Sequence, residues 1–207
     1  MNNCFMREPA SVNNLVVIGA WNTSIFTPNW VSENLIDGDF TAEFPLNGIG
    51  SLKFSTPEFS FVIIQNRLCF QLLQHTPDAN RKAVAVLRKL LQCLQHTPVS
   101  ALGANFVFLV DNIPADLAPI DSTQAIMETT QSELALYSVK RGFKLREKET
   151  LYLEISSVEE KKFDFNYHFE IAKVIDALSI LGDDDDFLNN KRSSAIDLMN
   201  QVFGESI

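Results

Sequence analysis

The stretch Lys162–Glu170 sets Asp164, Asn166, His168 and Glu170 at every second position, between Phe163, Phe165, Tyr167 and Phe169. A period of two marks a strand with one face in a core and one outside it. Alternate strand residues stand about 6.6–6.8 Å apart, so a carboxylate and an imidazole on this face would flank a small substrate or help to hold a metal. On that reading Asp164, His168 and Glu170 are acid–base candidates. The plainer reading is the solvated side of an antiparallel sheet. Contact with a protein partner through Asn166 and His168 lies between the two.

Three other groups carry charge or aromatic surface. Asp183, Asp184, Asp185 and Asp186 run consecutively. They repel one another, so they need water, counter-ions or a basic partner, and just ahead of a helix they also favour its N-terminus. Trp21 and Trp30 stand near Asn22 and Phe26 in a strand-to-helix connection. Such a cluster either anchors a partner or seals the end of a core. Arg81, Lys82, Arg88 and Lys89 share one side of a helical stretch, most simply a solvated face, with no aromatic residues interleaved to stack nucleic-acid bases. His75 and His96 flank that helix about 30 Å apart, too far to share one metal.

Several chemistries are missing their signatures. Gly48-Ile49-Gly50 is a lone GxG, read as a hairpin turn and not a phosphate loop. There is no GxSxG elbow, no HExxH and no paired-cysteine zinc motif. Counted from Asp183 or Asp184, the twelfth position is Ser194 or Ala195, where a calcium loop needs a glutamate. Cofactor and metal are therefore expected to be absent. The chain carries 26 acidic residues against 17 basic ones, a net charge of −9, which repels phosphate backbones and anionic membrane surfaces. The cysteines Cys4, Cys69 and Cys93 are sparse and odd in number, which fits a reducing compartment better than a disulfide framework. With no signal-type stretch in residues 1–9 and no apolar run near the ~18 residues of a membrane span, the expected location is cytoplasmic.

The elements that must position these residues follow from periodicity. Strands are expected at 15–20, 40–46, 51–55, 59–65, 68–73 and 104–110, with Asn47-Gly48 turning the second into the third. Thr27-Pro28 opens a short helix to about Ile36, and Thr76-Pro77 opens the longest one, to about Gln95. Residues 111–121 hold Pro114 and Pro119 without a period and read as a connector. A short helix is expected at 123–136, then strands at 138–146, 151–156 and 162–170. A helix bearing Ile171, Val174, Ile175, Leu178 and Leu181 ends at Gly182. A last helix sets Ile196, Met199, Val202 and Phe203 on one side, and Arg192 interrupts its apolar arc. The string LQHTP occurs at Leu73 and again at Leu94, once entering and once leaving the long helix, so it reads as coincidence.

Meanders with short turns imply α+β: a mostly antiparallel sheet of about seven or eight strands with amphipathic helices on one face. The 207 residues divide into an N-terminal strand–helix half (1–110), the connector, and a C-terminal meander with helices (122–207), built as one compact domain. Sixteen phenylalanines, many at alternating strand positions, belong between the sheet and its helices.

Without a catalytic signature, the functional expectation is a non-catalytic interaction or accessory protein. It would act through an open sheet face or an aromatic end-patch, with Trp21, Trp30, Asn166, His168, Asp183, Asp184, Asp185 and Asp186 as contact residues. A protein partner is expected, a second copy of the chain among the candidates. The basic helix face and the aspartate run would serve as separate patches of opposite sign. The alternative is a small-substrate enzyme using Asp164, His168 and Glu170.

Overall fold

The structure is a computed structural model that describes residues 6–9, 12–45, 51–64, 66–113, 129, 138–157 and 160–203. The expected Asn47-Gly48 turn, nearly all of the 123–136 helix, most of the connector and Cys4 lie outside the described residues.

The strands are β1 (Met6–Arg7), β2 (Asn13–Gly19), β3 (Thr41–Glu43), β4 (Leu52–Ser55), β5 (Phe59–Ile64), β6 (Arg67–Leu72), β7 (Val99–Val110), β8 (Ser138–Arg146), β9 (Glu149–Ser156) and β10 (Lys162–Glu170). They form one sheet in the order β3-β4-β5-β6-β2-β7-β10-β9-β8, with β1 beside the end of β7, and every pairing is antiparallel. The fold is α+β, as the meanders imply, with ten strands.

The order contains a repeated plan. β2 leads, the meander β3 to β6 returns its last strand to lie beside β2, and a helix follows. β7 leads again, the meander β8 to β10 returns its last strand beside β7, and helices follow. The two leading strands pair with each other at the centre, so one sheet runs through both halves.

Four helices of two turns or more are described, α1 (Pro28–Asn34), α2 (Pro77–Cys93), α3 (Val174–Leu181) and α4 (Phe187–Phe203). Their starts follow local chemistry. Thr27 accepts from the Trp30 amide and Thr76 from the Ala79 amide, each followed by a proline whose missing N–H is no loss there. At α3 the Asp176 carboxylate accepts from the amides of Ala172 and Lys173, and Gly182 ends the helix at φ 74°, a conformation that favours glycine. The two LQHTP copies open and close α2, in unlike contexts.

A single core lies between the helices and one sheet face. On β10, Phe163, Phe165, Tyr167 and Phe169 are buried, while Asp164, Asn166 and His168 are half-buried on the other side. Across β4, β5 and β6, Phe54, Phe61 and Phe70 are cross-strand partners and stack at centroid spacings of 5.1 and 5.2 Å. Phe106 and Phe108 meet Tyr167 and Phe165 edge-on. Over this floor α2 lays Ala83, Val84, Leu87, Leu90 and Leu91, all buried.

The largest difference from the expected spans is at the start of β7. β7 starts at Val99 and not near Ala104. Its first half is built of small residues without a strand pattern, and pairing with β2 and β10 on either side overrides that weak propensity. At the entry to that strand, a Cβ on Gly19 would sit 2.7 Å from the Pro98 carbonyl oxygen, so only glycine fits the crossing. The last helix reaches back to Phe187. Arg192 fits its inner side because it pairs with Glu8, whose second oxygen lies 3.3 Å from Nδ1 of His75.

The stacked phenylalanines set a stability test. Phe61→Ala is expected to lower unfolding free energy by about 3–5 kcal/mol, with Phe61→Leu losing much less. Urea unfolding followed by near-ultraviolet circular dichroism measures both. A loss under about 1 kcal/mol for the alanine variant would contradict the packing described.

Candidate functional site

The register of the sheet fixes what its outer face presents. One row runs Val62, Cys69, Val16, Gly103, His168 and Thr150, and the next runs Ile64, Arg67, Ile18, Ala101 and Glu170. A third joins Asn105, Asn166, Tyr152 and Gly142, and a fourth Val107, Asp164, Glu154 and Lys140. The face is thus divided: an apolar lane on β5, β2 and β7, and a polar half on β10, β9 and β8. Ile18 and Tyr152 are its exposed large hydrophobic side chains, at 38% and 37% of their full area.

On the polar half, Tyr152 and His168 rings meet at 6.1 Å, and the Lys140 ammonium sits 5.6 Å from the Tyr152 ring centre. Burial pushes the Asp164 carboxyl up from the ordinary range; Lys162 pulls it back, Glu154 opposite pushes it further, and Lys140 pulls it back a little. Asp164 and His168 are four residues apart on one strand, about 13 Å, so they cannot act on the same atom. Glu170, at the strand end, lines a different cavity altogether. The structure does not assemble Asp164, His168 and Glu170 into one acid–base site.

The acid run and the basic helix face are not separate patches. Arg88 donates to Asp183 at 2.9 Å and to Asp185 at 2.7 Å, and Arg81 donates to Asp186 at 2.8 Å. Lys89 reaches Asp37 and Lys82 reaches Glu58. Each group is the other's counter-ion within the chain. Asp186 also accepts from Asn189; that bond first, and then Arg81, holds its carboxyl below the usual range. Asp184 instead accepts from the Asp186 amide and borders the same cavity as Glu170.

Nor do the tryptophans form a surface patch. Trp21 is buried and donates to the Val17 carbonyl, and Trp30 packs edge-on against Phe26 at 5.4 Å. They seal one end of the core.

The sequence reading missed a cavity of about 580 Å³ between the start of β9, the end of β10, α3 and α4. Arg146, Lys148, Glu149, Glu170, Asp184 and Lys191 bring charge to it, and Phe169 and Phe187 bring apolar wall. Glu149 is buried and accepts from Lys191, whose ammonium lies 5.0 Å from the Tyr167 ring and 5.1 Å from the Phe169 ring. Burial, helped by Glu149 and Asp197, pushes the Tyr167 hydroxyl up to about 12, so it stays protonated. One signal existed: Lys191 sits among Phe187, Leu188, Ala195 and Met199 at the i, i+3, i+4 spacings of the buried side of α4. A charge there needs a partner. Among the described residues no cluster of three His, Cys, Asp or Glu side chains is arranged to hold a metal ion. No described helix is long and apolar enough to cross a membrane.

Comparison with protein-family models, curated proteins and solved structures finds no match to this chain.

Two predictions follow from these geometries. Lys191→Met leaves Glu149 buried without its main cation, at a cost of about 3 kcal/mol, and adding Glu149→Gln restores most of it. Chemical denaturation of the native chain and the two variants checks this; an undisturbed single variant contradicts it. For Asp164 the folded chain holds the proton more tightly than the unfolded chain. Stability therefore falls as pH rises from about 3.9, the unfolded value, through the higher folded value, and the penalty is complete above it. Asp186 runs the other way: its contribution is present above the unfolded value and is lost as pH falls through the folded one. Asp164→Asn is expected to raise the urea midpoint at neutral pH and to lose that advantage in acid. A midpoint lowered at neutral pH would contradict the assignment.

Proposed function

We propose that the chain is a non-catalytic protein-binding or accessory protein whose partner covers the outer face of the sheet. One observation carries this reading. An antiparallel sheet with one wet face alternates apolar and polar residues, whereas continuous apolar runs belong to strands buried on both faces. β10 alternates. β2 and β5 do not: Leu15, Val16, Val17 and Ile18 follow one another without interruption, as do Phe61, Val62, Ile63 and Ile64. Yet the helices lie on the other side, and among the described residues none crosses the lane formed by Val16, Ile18, Val62 and Ile64. An apolar strip of this kind rimmed by polar residues, here Arg67, Asn166, His168 and Glu170, is the ordinary composition of a docking surface. The tryptophans and the aspartate run have internal partners and take no direct part.

A second reading has its own support in the end cavity. Its volume falls within the range of small-molecule sites, about 300–1,000 Å³, and it joins buried Glu149 and Lys191 to two aromatic walls. In that reading the ionisable groups at work are Glu149, Lys191 and Glu170, not Asp164 and His168.

The test uses the full chain and its Ile18→Lys variant as baits at low and moderate salt, with sedimentation velocity for self-association. The expected result is a partner, or a second copy, held by the native chain and lost from the variant at unchanged melting temperature. A partner retained equally by both, or none held above background, overturns the face as the site.

A further inference from the structure

The two edges of the sheet are built differently. β3 ends the sheet with three residues, the short kind of edge that discourages strand addition. β8 ends it with nine, and residues 138–144 keep an unbroken register with β9. Eight of those nine residues are exposed, Phe143 and Leu145 by almost half their area. The strand also concentrates positive charge. It carries Lys140, Arg141, Lys144 and Arg146 and no acid, in a chain of net charge −9. Among the described residues Arg146 alone of these four has a carboxylate within ion-pair distance, Glu149 at 3.7 Å.

We propose that the outer edge of β8, paired with no described strand, binds an extended acidic segment of a partner protein by strand addition. Lysine on an edge strand ordinarily guards against pairing. The guard acts by like charge, so it excludes a second β8 and leaves an acidic strand as the favoured occupant. The alternation of β8 specifies the rest. Lys140 and Lys144 lie with Gly142 on the outer face of the sheet, where the Tyr152 ring rests over the glycine. Val139, Arg141 and Phe143 lie on the opposite face, and the register shifts at Leu145. A strand paired to this edge presents carboxylates to the lysines on one face and apolar side chains to Val139 and Phe143 on the other. The backbone pairing supplies affinity and the alternation supplies selectivity. This edge is distinct from the apolar lane on β2 and β5, and the inference does not depend on that lane being a docking surface.

The probe is a short, blocked, fluorescein-labelled peptide of alternating glutamate and valine, with alternating lysine and valine as its control. Fluorescence anisotropy is expected to show saturable binding of the acidic peptide, weakened by added salt, and none of the basic one. Lys140→Glu with Lys144→Glu is expected to weaken binding at least about tenfold, with Arg141→Glu on the other face weakening it as well. Hydrogen exchange is expected to slow at the amides of residues 138–146, the mark of strand pairing and not of side-chain attraction alone. Ile18→Lys is expected to leave this binding intact, which separates it from the lane. No binding of the acidic peptide, equal binding by the charge-reversed variants, or protection at α2 in place of β8 would each overturn the proposal.

Discussion

The stacking of phenylalanine across one face of the sheet is the constraint from which the remaining architecture follows. Phe54, Phe61 and Phe70 face one another across three strands, and Phe163 and Phe165 extend the floor on the far side of the centre. Rings of this size bury a large area each and gain about 0.5–1.5 kcal/mol per pair beyond that burial. A floor so apolar must be roofed, and α2 has the right face for it. Once α2 and its neighbours are committed to that side, the opposite side of the sheet is left to other uses. That no described helix covers the lane is thus a consequence of where the phenylalanines lie.

The roof is held in place by charge as well as by burial. α2 presents Arg81 and Arg88 to the loop between α3 and α4, and that loop supplies Asp183, Asp185 and Asp186. These bonds span about a hundred residues, between 95 and 105 in sequence. Arg88 is mostly covered, whereas Asp183 stands fully in water, so the pairs differ in worth. An exposed pair contributes little, but a guanidinium that is mostly covered and bonded to two carboxylates fixes orientation. Asp185 adopts a left-handed backbone at φ 57° within this loop. Here the clasp and the cavity wall meet: Asp184, between two paired aspartates, is turned toward the space bordered by Glu149 and Lys191.

What was legible in the sequence is what depends on neighbours along the chain. β10 was readable from strict alternation, α2 from a threonine–proline start and a long apolar stripe, and α3 from the glycine that stops it. Those signals carry their physics within a few residues. The acid run and the basic helix face were each visible, but their mutual neutralisation was not, because nothing local says that Arg88 will meet Asp183. The same holds for Lys191 and Glu149: the lysine's misplacement in an apolar arc was a clue, but its partner lies 42 residues away at the start of β9. β7 was only half readable, since Ser100, Ala101, Gly103 and Ala104 have no strand preference of their own and are extended because both flanking strands are. The apolar runs in β2 and β5 mark strands, and one face of each is buried. That they are too apolar for a one-sided sheet becomes evident only once the helices are seen to lie on one side.

The repeated plan explains why the two edges came to differ. In the first half the leading strand is followed by α1 and a four-strand meander, so the outermost strand, β3, is a short remnant at the end of a long series. In the second half three strands follow the lead, and the outermost, β8, is full length. A long edge with Phe143 on its inner side would pair readily with any extended chain, its own copies included. Positive charge restricts that readiness, because two such strands side by side would bring Lys140, Arg141 and Lys144 against their equivalents. A protein whose remaining surface is acidic would lose nothing in solubility by keeping this one edge neutral. Concentrating cations on the longer of the two described edge strands therefore does something that overall charge does not: it disfavours like-charged strands and favours acidic ones.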